Sequence, residues 1–271
     1  MAKKNKNYRD IFCIVLPELK EDFNEDILEC KTDGLPKDYI YFYKCLEDQA
    51  RSIGVGEILI NKDIKEGKKK LYFSAYMRKL IYYGNKLENY LEEYSKDDFI
   101  FRFFDETDAI YCALISDNFK LVKELIDISG KRNDIYESTN IDSIYSTSIL
   151  YSIKEIFMDN YDKAKFYVDS LSKISNDKSM KDYLQYEHIF RAIINRDEDT
   201  LNKYLNNLAC TNSKLVEYKE SPKELFSFAT LGLAKLAILK GLNVKLDCEC
   251  APKEVLETDT IEYPDLSFLE L

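Results

Sequence analysis

Few residues in this 271-residue chain are of a type and spacing that could do chemistry. His188 is the sole histidine, so multi-histidine metal sites are excluded, and any Ser-His-Asp or Cys-His site must be built on it. No Gly-x-Ser-x-Gly turn presents a nucleophile. His188 shares a helical stripe with Leu184 and Ala192, which reads as a partly buried, hydrogen-bonded structural histidine. Cys248-Glu249-Cys250 is a lone C-x-C pair: zinc needs about four ligands from spaced pairs, and no basic neighbour is evident to activate a dithiol. Its alternation places both thiols on one face of an extended segment that covers a helix, a packing role. Gly54-Val55-Gly56 lacks the third glycine and the preceding strand of a dinucleotide fingerprint and reads as a loop. Glu92-Glu93 and Asp97-Asp98 are adjacent pairs; on a helix they point apart and read as solvated surface. A non-catalytic protein with no cofactor and no metal is expected.

The elements that position these residues are expected to be helical. Gly 8 and Pro 5 leave little material for the tight turns of an all-β fold, while 45% hydrophobic and 32% charged residues suit a folded chain. Seven scattered cysteines, an odd number, argue for a reducing compartment rather than a disulfide framework. The apolar run Ile11 to Leu16 before Pro17 is too short for a secretory leader. Leu225 to Leu242 is interrupted by Lys235 and Lys240 and reads as a core helix, not a membrane span. A cytoplasmic location without a membrane anchor follows as an expectation.

Helical spacing runs through Asp38 to Ile53, ending at Ser52-Ile53-Gly54-Val55-Gly56, and through a long helix from about Leu71 to Tyr94. Lys65 to Lys70 reads as a basic loop; Ile58-Leu59-Ile60 before it fits a brief strand, a helix edge or part of a longer helix. Beyond Glu106 a theme recurs three times: helix, very short polar turn, helix. The turns are Asp117-Asn118, Asp159-Asn160 and Arg196-Asp197; aligning Val122, Ala164 and Leu201 also aligns Ile126, Val168 and Leu205. Short turns make antiparallel neighbours, and one hairpin cannot bury its own apolar face, so hairpins stack. The spacing is irregular and the chain has no Trp, so the reading is a divergent tetratricopeptide-like array.

Ser221, Pro222 and Glu224 are good N-terminal helix signals, and Lys240-Gly241 a good C-terminal one. The run between them is apolar nearly all round, as in a helix that others surround. The predicted fold is therefore all-α, with at most a short β segment: one helical domain over 1–271, divided into an N-terminal portion 1–69, a hairpin array 70–247 around a buried C-terminal helix, and an acidic tail 248–271.

That helix ending at Gly241, followed by Asn243-Val244-Lys245-Leu246-Asp247 and by Pro252-Lys253-Glu254-Val255-Leu256, resembles the C-terminal signature of the Imm49 family, bacterial immunity proteins of polymorphic toxin systems. The resemblance extends upstream through Arg196 to Leu208 and the unit near Asp117, covering roughly Leu71 to Leu256. The Lys-, Asn- and Tyr-rich composition and the N-terminal third depart from it. It implies a protein that binds and neutralises a cognate toxin by occlusion.

The net charge of −10 disfavours nucleic acid and favours a basic protein partner. Acids cluster at Glu18 to Glu29, in the tail after Lys253, and around Phe99 to Phe104, where Asp97, Asp98, Asp105, Glu106 and Asp108 form the expected contact with a partner. The 21 tyrosines fit either a protein-binding surface or biased codon usage. The alternative function is a helical-repeat adaptor or peptide-sensing regulator; the first sixty residues hold no basic recognition helix for one that binds DNA.

Overall fold

Helices supply every regular element longer than a turn among the residues described in this computed structural model, which are 7–83, 98–129, 141–174, 185–212, 214–258 and 260–270. The α-helices are α1 (Tyr8–Asp33), α2 (Tyr39–Gly56), α3 (Ile64–Tyr83), α4 (Asp98–Ile115), α5 (Phe119–Ile128), α6 (Ile141–Phe157), α7 (Tyr161–Ile174), α8 (Gln185–Asn195), α9 (Glu198–Asn212), the single turn α10 (Pro222–Leu225) and α11 (Phe228–Leu239). No strand occurs among the described residues. Neighbours in sequence pack in space from α1 to α5 and from α6 to α9, with α6 joined to the first group through α4, and α11 lies against α4 and α9. The fold is an all-α helical array.

The three hairpin turns share one geometry. Asp117, Asp159 and Arg196 have φ of 63°, 60° and 58°. Each ends its helix in the same pair of reversed hydrogen bonds: Asp117 N–H donates to the Leu114 carbonyl and Asn118 N–H to that of Ala113, with matching pairs at Asp159-Asn160 and Arg196-Asp197. The following residue opens the next helix; Asn118 Oδ1 accepts from Leu121 N at 2.9 Å and Asp197 Oδ1 from Thr200 N at 3.0 Å. The six aligned positions, Val122 to Leu205, are all fully buried.

The left-handed residue of each turn also reaches α11. Asp117 takes ion pairs from Lys235 of α11 and, at 2.7 Å, from Lys68 of α3; the three side chains are 2%, 1% and 0% exposed. Asp159 accepts from Lys240 at 2.6 Å, which holds its carboxyl below the usual range against the opposing pull of partial burial. Arg196 donates to the carbonyls of Lys240 and Gly241 at 3.0 and 3.2 Å, a cation at the negative end of the α11 dipole. The two lysines that interrupt the apolar run are thus the ties between α11 and the array.

Several expectations are corrected. Gly54-Val55-Gly56 is no loop: it lies in α2, and the chain runs on through a π-helical turn, Glu57–Asn61, that contains Ile58-Leu59-Ile60. The glycines are contact points rather than breakers. A β-carbon on Gly54 would lie 2.9 Å from a Leu71 methyl and 3.1 Å from the Gly67 carbonyl oxygen, so their absence lets α2 and α3 approach closely. Lys65 to Lys70 is helical, and α3 starts at Ile64; its continuation towards Tyr94 lies outside the described residues. The single helix expected from Ser221 is broken at Phe226-Ser227. Ser221 makes no side-chain cap, and Ser227 caps α11 instead, accepting from Thr230 N. Gly241, at φ 76°, ends α11 as expected, with Leu242 N donating to the Ala237 carbonyl.

The acidic C-terminal segment is packed rather than loose. Val255, Leu266 and Leu269 are buried, Tyr43 donates to the Leu269 carbonyl at 2.5 Å, and Tyr263 lies 4.5 Å from Tyr72, ring to ring. The Leu256 and Glu257 carbonyls accept from Lys235, and Glu257 also from Lys68 at 2.5 Å. A methyl at Gly67 would run into Ile58 and stand 2.9 Å from the Gly54 carbonyl oxygen. Gly67→Ala is therefore expected to lower stability by about 1–3 kcal/mol in denaturant unfolding, the usual cost of overpacking.

Candidate functional site

Buried ionisable groups are the first place to look for chemistry, and the described residues hold two internal clusters. One is the Asp117, Lys68 and Lys235 set, closed to solvent on every member. The other centres on Glu47 of α2, itself fully buried, which accepts from Arg51 and, at 2.6 Å, from Arg78 of α3. Arg51 lies 3.8 Å from Asp108, which accepts from Lys223 at 2.5 Å. Burial alone would favour loss of the Arg51 proton, but Glu47, helped by Asp108 and Asp48, outweighs it and holds the guanidinium charged. Such paired, enclosed groups fix helices against one another and offer no exposed acid–base pair.

Beside the second cluster, Thr107, Asp108, Tyr111, Tyr145, Tyr186 and Tyr218 help line a cavity of about 50 Å³. That is room for a few waters and too little for a substrate. Burial, then Tyr186, pushes the Tyr111 hydroxyl well above its ordinary range, so it stays protonated. His188 is partly buried and stacks on Tyr204 with ring centroids 4.1 Å apart; packing, not a base, is the role its surroundings give it. Among the described residues no group of three or more His, Cys, Asp or Glu is arranged to hold a metal ion, and no helix is long and apolar enough to cross a membrane.

The residues expected to meet a partner divide. Asp97 lies outside the described residues; Asp98 and Asp105 fall on α4, with side chains outside them. Glu106 is 5% exposed and the Asp108 side chain 14%, turned towards Arg51 and Lys223. These two are corrected: Glu106 is buried, and Asp108 is half-buried and engaged by Arg51 of α2 and Lys223 of α10, so neither side chain is open to a partner. Composition showed the local acid cluster but not the distant bases that neutralise it.

A continuous exposed face lies instead on α1. Asn7 caps this helix through Asp10 N at 2.9 Å, and Phe12, Leu16, Phe23 and Cys30 form its buried stripe. Leu16 packs against the bare α-carbon of Gly56, and Phe23 meets Phe73 edge-on at 5.0 Å. Lys20, on the flank, is held by Glu57 at 2.5 Å. The opposite face is exposed. Its first turns carry Ile11, Ile14 and Val15, at 41%, 60% and 40% exposure. The next turns carry Glu18, Glu21, Asp22, Glu25 and Glu29, with Leu28 at the far end. The spacing from Ile11 to Glu29 repeats i, i+3, i+4 and i+7, so the face is continuous over about 27 Å. None of the five carboxylates pairs with a base among the described residues. The chain thus presents an aliphatic tip followed by an unneutralised acidic band. The acidic run was visible in the sequence; that the aliphatic residues share its face requires the helix to begin at Tyr8.

Asp108→Asn, which leaves Lys223 without its carboxylate, is expected to destabilise the fold by about 1–3 kcal/mol in denaturant unfolding. Loss of partner binding at unchanged stability would contradict this placement of Asp108.

Compared with protein-family models, curated proteins and solved structures, the chain gives no match.

Proposed function

We propose that the chain is a cytoplasmic immunity protein that binds a basic protein toxin and neutralises it by occlusion, without catalysis. The observation that carries this reading is the outer face of α1, where exposed aliphatic area lies beside five carboxylates that pair with no base among the described residues. Apolar area excludes water at a contact, and an acidic band speeds encounter with a basic surface. The net charge of −10 acts in the same direction over longer range. Support of a second kind comes from the resemblance of α11 and the following segment to the immunity family. The ionisable groups of the two interior clusters are engaged with one another, which suits a scaffold better than an enzyme. A full interface of roughly 1,600 Å² needs more than one helix face. The α1 face supplies its steering and its apolar anchor.

Co-expression with the protein encoded beside it tests the reading. Cells that die at the same rate with and without this chain would end the proposal. With the purified pair, Glu21→Lys combined with Glu25→Lys is expected to slow association at least tenfold at low salt, with the difference shrinking at high salt as charges are screened. An unchanged association rate would remove α1 from the interface while leaving the immunity reading to the survival assay.

A further inference from the structure

A ladder of side chains along α9 sets the course of the segment after α11. Glu198 Oε1 accepts from Asn243 N at 2.9 Å. Asn202 accepts from Lys245 N at 2.6 Å and donates to the Asn243 carbonyl at 3.2 Å. Asn206 accepts from Asp247 N at 2.8 Å and donates to the Lys245 carbonyl at 2.9 Å. The register follows from two periods. Four residues of helix rise about 6 Å, close to the advance of two extended residues, so every fourth side chain of α9 meets every second residue of the segment. An asparagine side chain presents the same donor and acceptor as a peptide group, so α9 here substitutes for a neighbouring strand.

The next position of that helical series is Cys210, where the two-residue step would bring Glu249; the side chain that meets it is instead that of Cys248, directly after Asp247. Cys210 contacts Cys248, and its thiol is raised by burial and then by that neighbour. Cys248 Sγ lies 3.2 Å from Cys250 Sγ, and Cys250 Sγ donates to the Ala209 carbonyl at 3.3 Å. Three thiols are therefore held together, with Cys248 touching both of the others. Cys210 is exposed, Cys248 half-buried and Cys250 buried. Cys248 and Cys250 also line a groove of about 690 Å³, where Arg9, Lys62 and Lys253 stand among the carboxylates of Glu224, Asp247, Glu249 and Glu254, and through which a small disulfide can approach.

The geometry points to a redox site: Cys248 is the central thiol of a cluster that a low-molecular-weight disulfide converts to a protein disulfide with Cys250 or Cys210. The Cys248 sulfur, as thiolate, attacks the oxidant's disulfide; a mixed disulfide forms and one small thiolate leaves. The second protein thiol gives its proton to solvent and attacks Cys248, forming the protein disulfide and releasing the second small thiolate. Two electrons pass from the two cysteines to the oxidant. Burial of Cys250 slows this second step, so exchange proceeds over minutes or longer and the site acts as a sensor of sustained oxidation. The product has a mechanical effect. The Cys250 carbonyl accepts the Ser227 N–H at 2.7 Å where α11 begins, so a bond at Cys248 stiffens the cap of the central helix.

The test uses the full chain, reduced and then incubated with glutathione disulfide, with free thiols alkylated before peptide mass spectrometry. The expected result is one intramolecular disulfide that includes Cys248 and either Cys250 or Cys210. Cys248→Ser should abolish it and Cys45→Ser should leave it unchanged, with circular dichroism confirming that both variants fold. If Cys248 remains fully alkylated, carries only glutathione, or pairs between chains, the proposal is overturned. Because the readout is a bond in the free protein, it stands or falls independently of toxin binding.

Discussion

Asp117 is the residue on which the array most depends. Its carboxylate, 2% exposed, sits between Lys68 of α3 and Lys235 of α11, while its backbone makes the left-handed turn that joins α4 to α5. The same lysines hold the Leu256 and Glu257 carbonyls. One side chain therefore ties an early helix, a hairpin turn, the central helix and the C-terminal segment. Removing one member of a buried ion pair typically costs about 3–5 kcal/mol, because its partner is left charged in a dry setting. Few single contacts in a chain of this size have comparable leverage.

The other two turns repeat the arrangement with less burial. Asp159 and Arg196 occupy the same left-handed position and reach the C-terminal end of α11, one through Lys240 and one through the last carbonyls. A left-handed non-glycine residue carries a conformational cost of roughly 1–2 kcal/mol. Here that position aims each side chain at the helix that closes the array. α11 is thus held by apolar packing along its length and by polar ties at each hairpin. This interior leaves the outer face of α1 free of structural duty. The division between a polar-tied interior and an acidic-aliphatic exterior is the physical basis for reading the chain as a binding protein.

The sequence showed what is local. The hairpin turns were legible because the signals for a reversed turn and a new helix cap lie within a few residues, and the aligned apolar positions follow at helical spacing. The apolar run of α11 and its Gly241 stop were legible for the same reason. What the sequence hid depends on distant partners. Lys68 looked like one of a basic loop, yet its mate is 49 residues away. Gly54 looked like a breaker because its role is set by α3, not by its neighbours. Asp108 looked like surface because Arg51 and Lys223 are remote in sequence. The ladder from Glu198 to Asn206 was hidden because its meaning lies in the match between a helix rise and an extended segment. Of the outer face of α1, the acidic band was visible, while its aliphatic end reads in the sequence only as an apolar run too short for a secretory leader.

The central role of Asp117 is tested most directly by amide hydrogen exchange on Asp117→Asn, a variant that still tolerates the left-handed turn and removes only the charge. The account predicts that protection falls together in α11, in the 253–257 segment and in the part of α3 around Lys68, while α7 and α8 keep theirs. Loss of protection confined to the 114–120 turn, with α11 and the C-terminal segment unchanged, would contradict it.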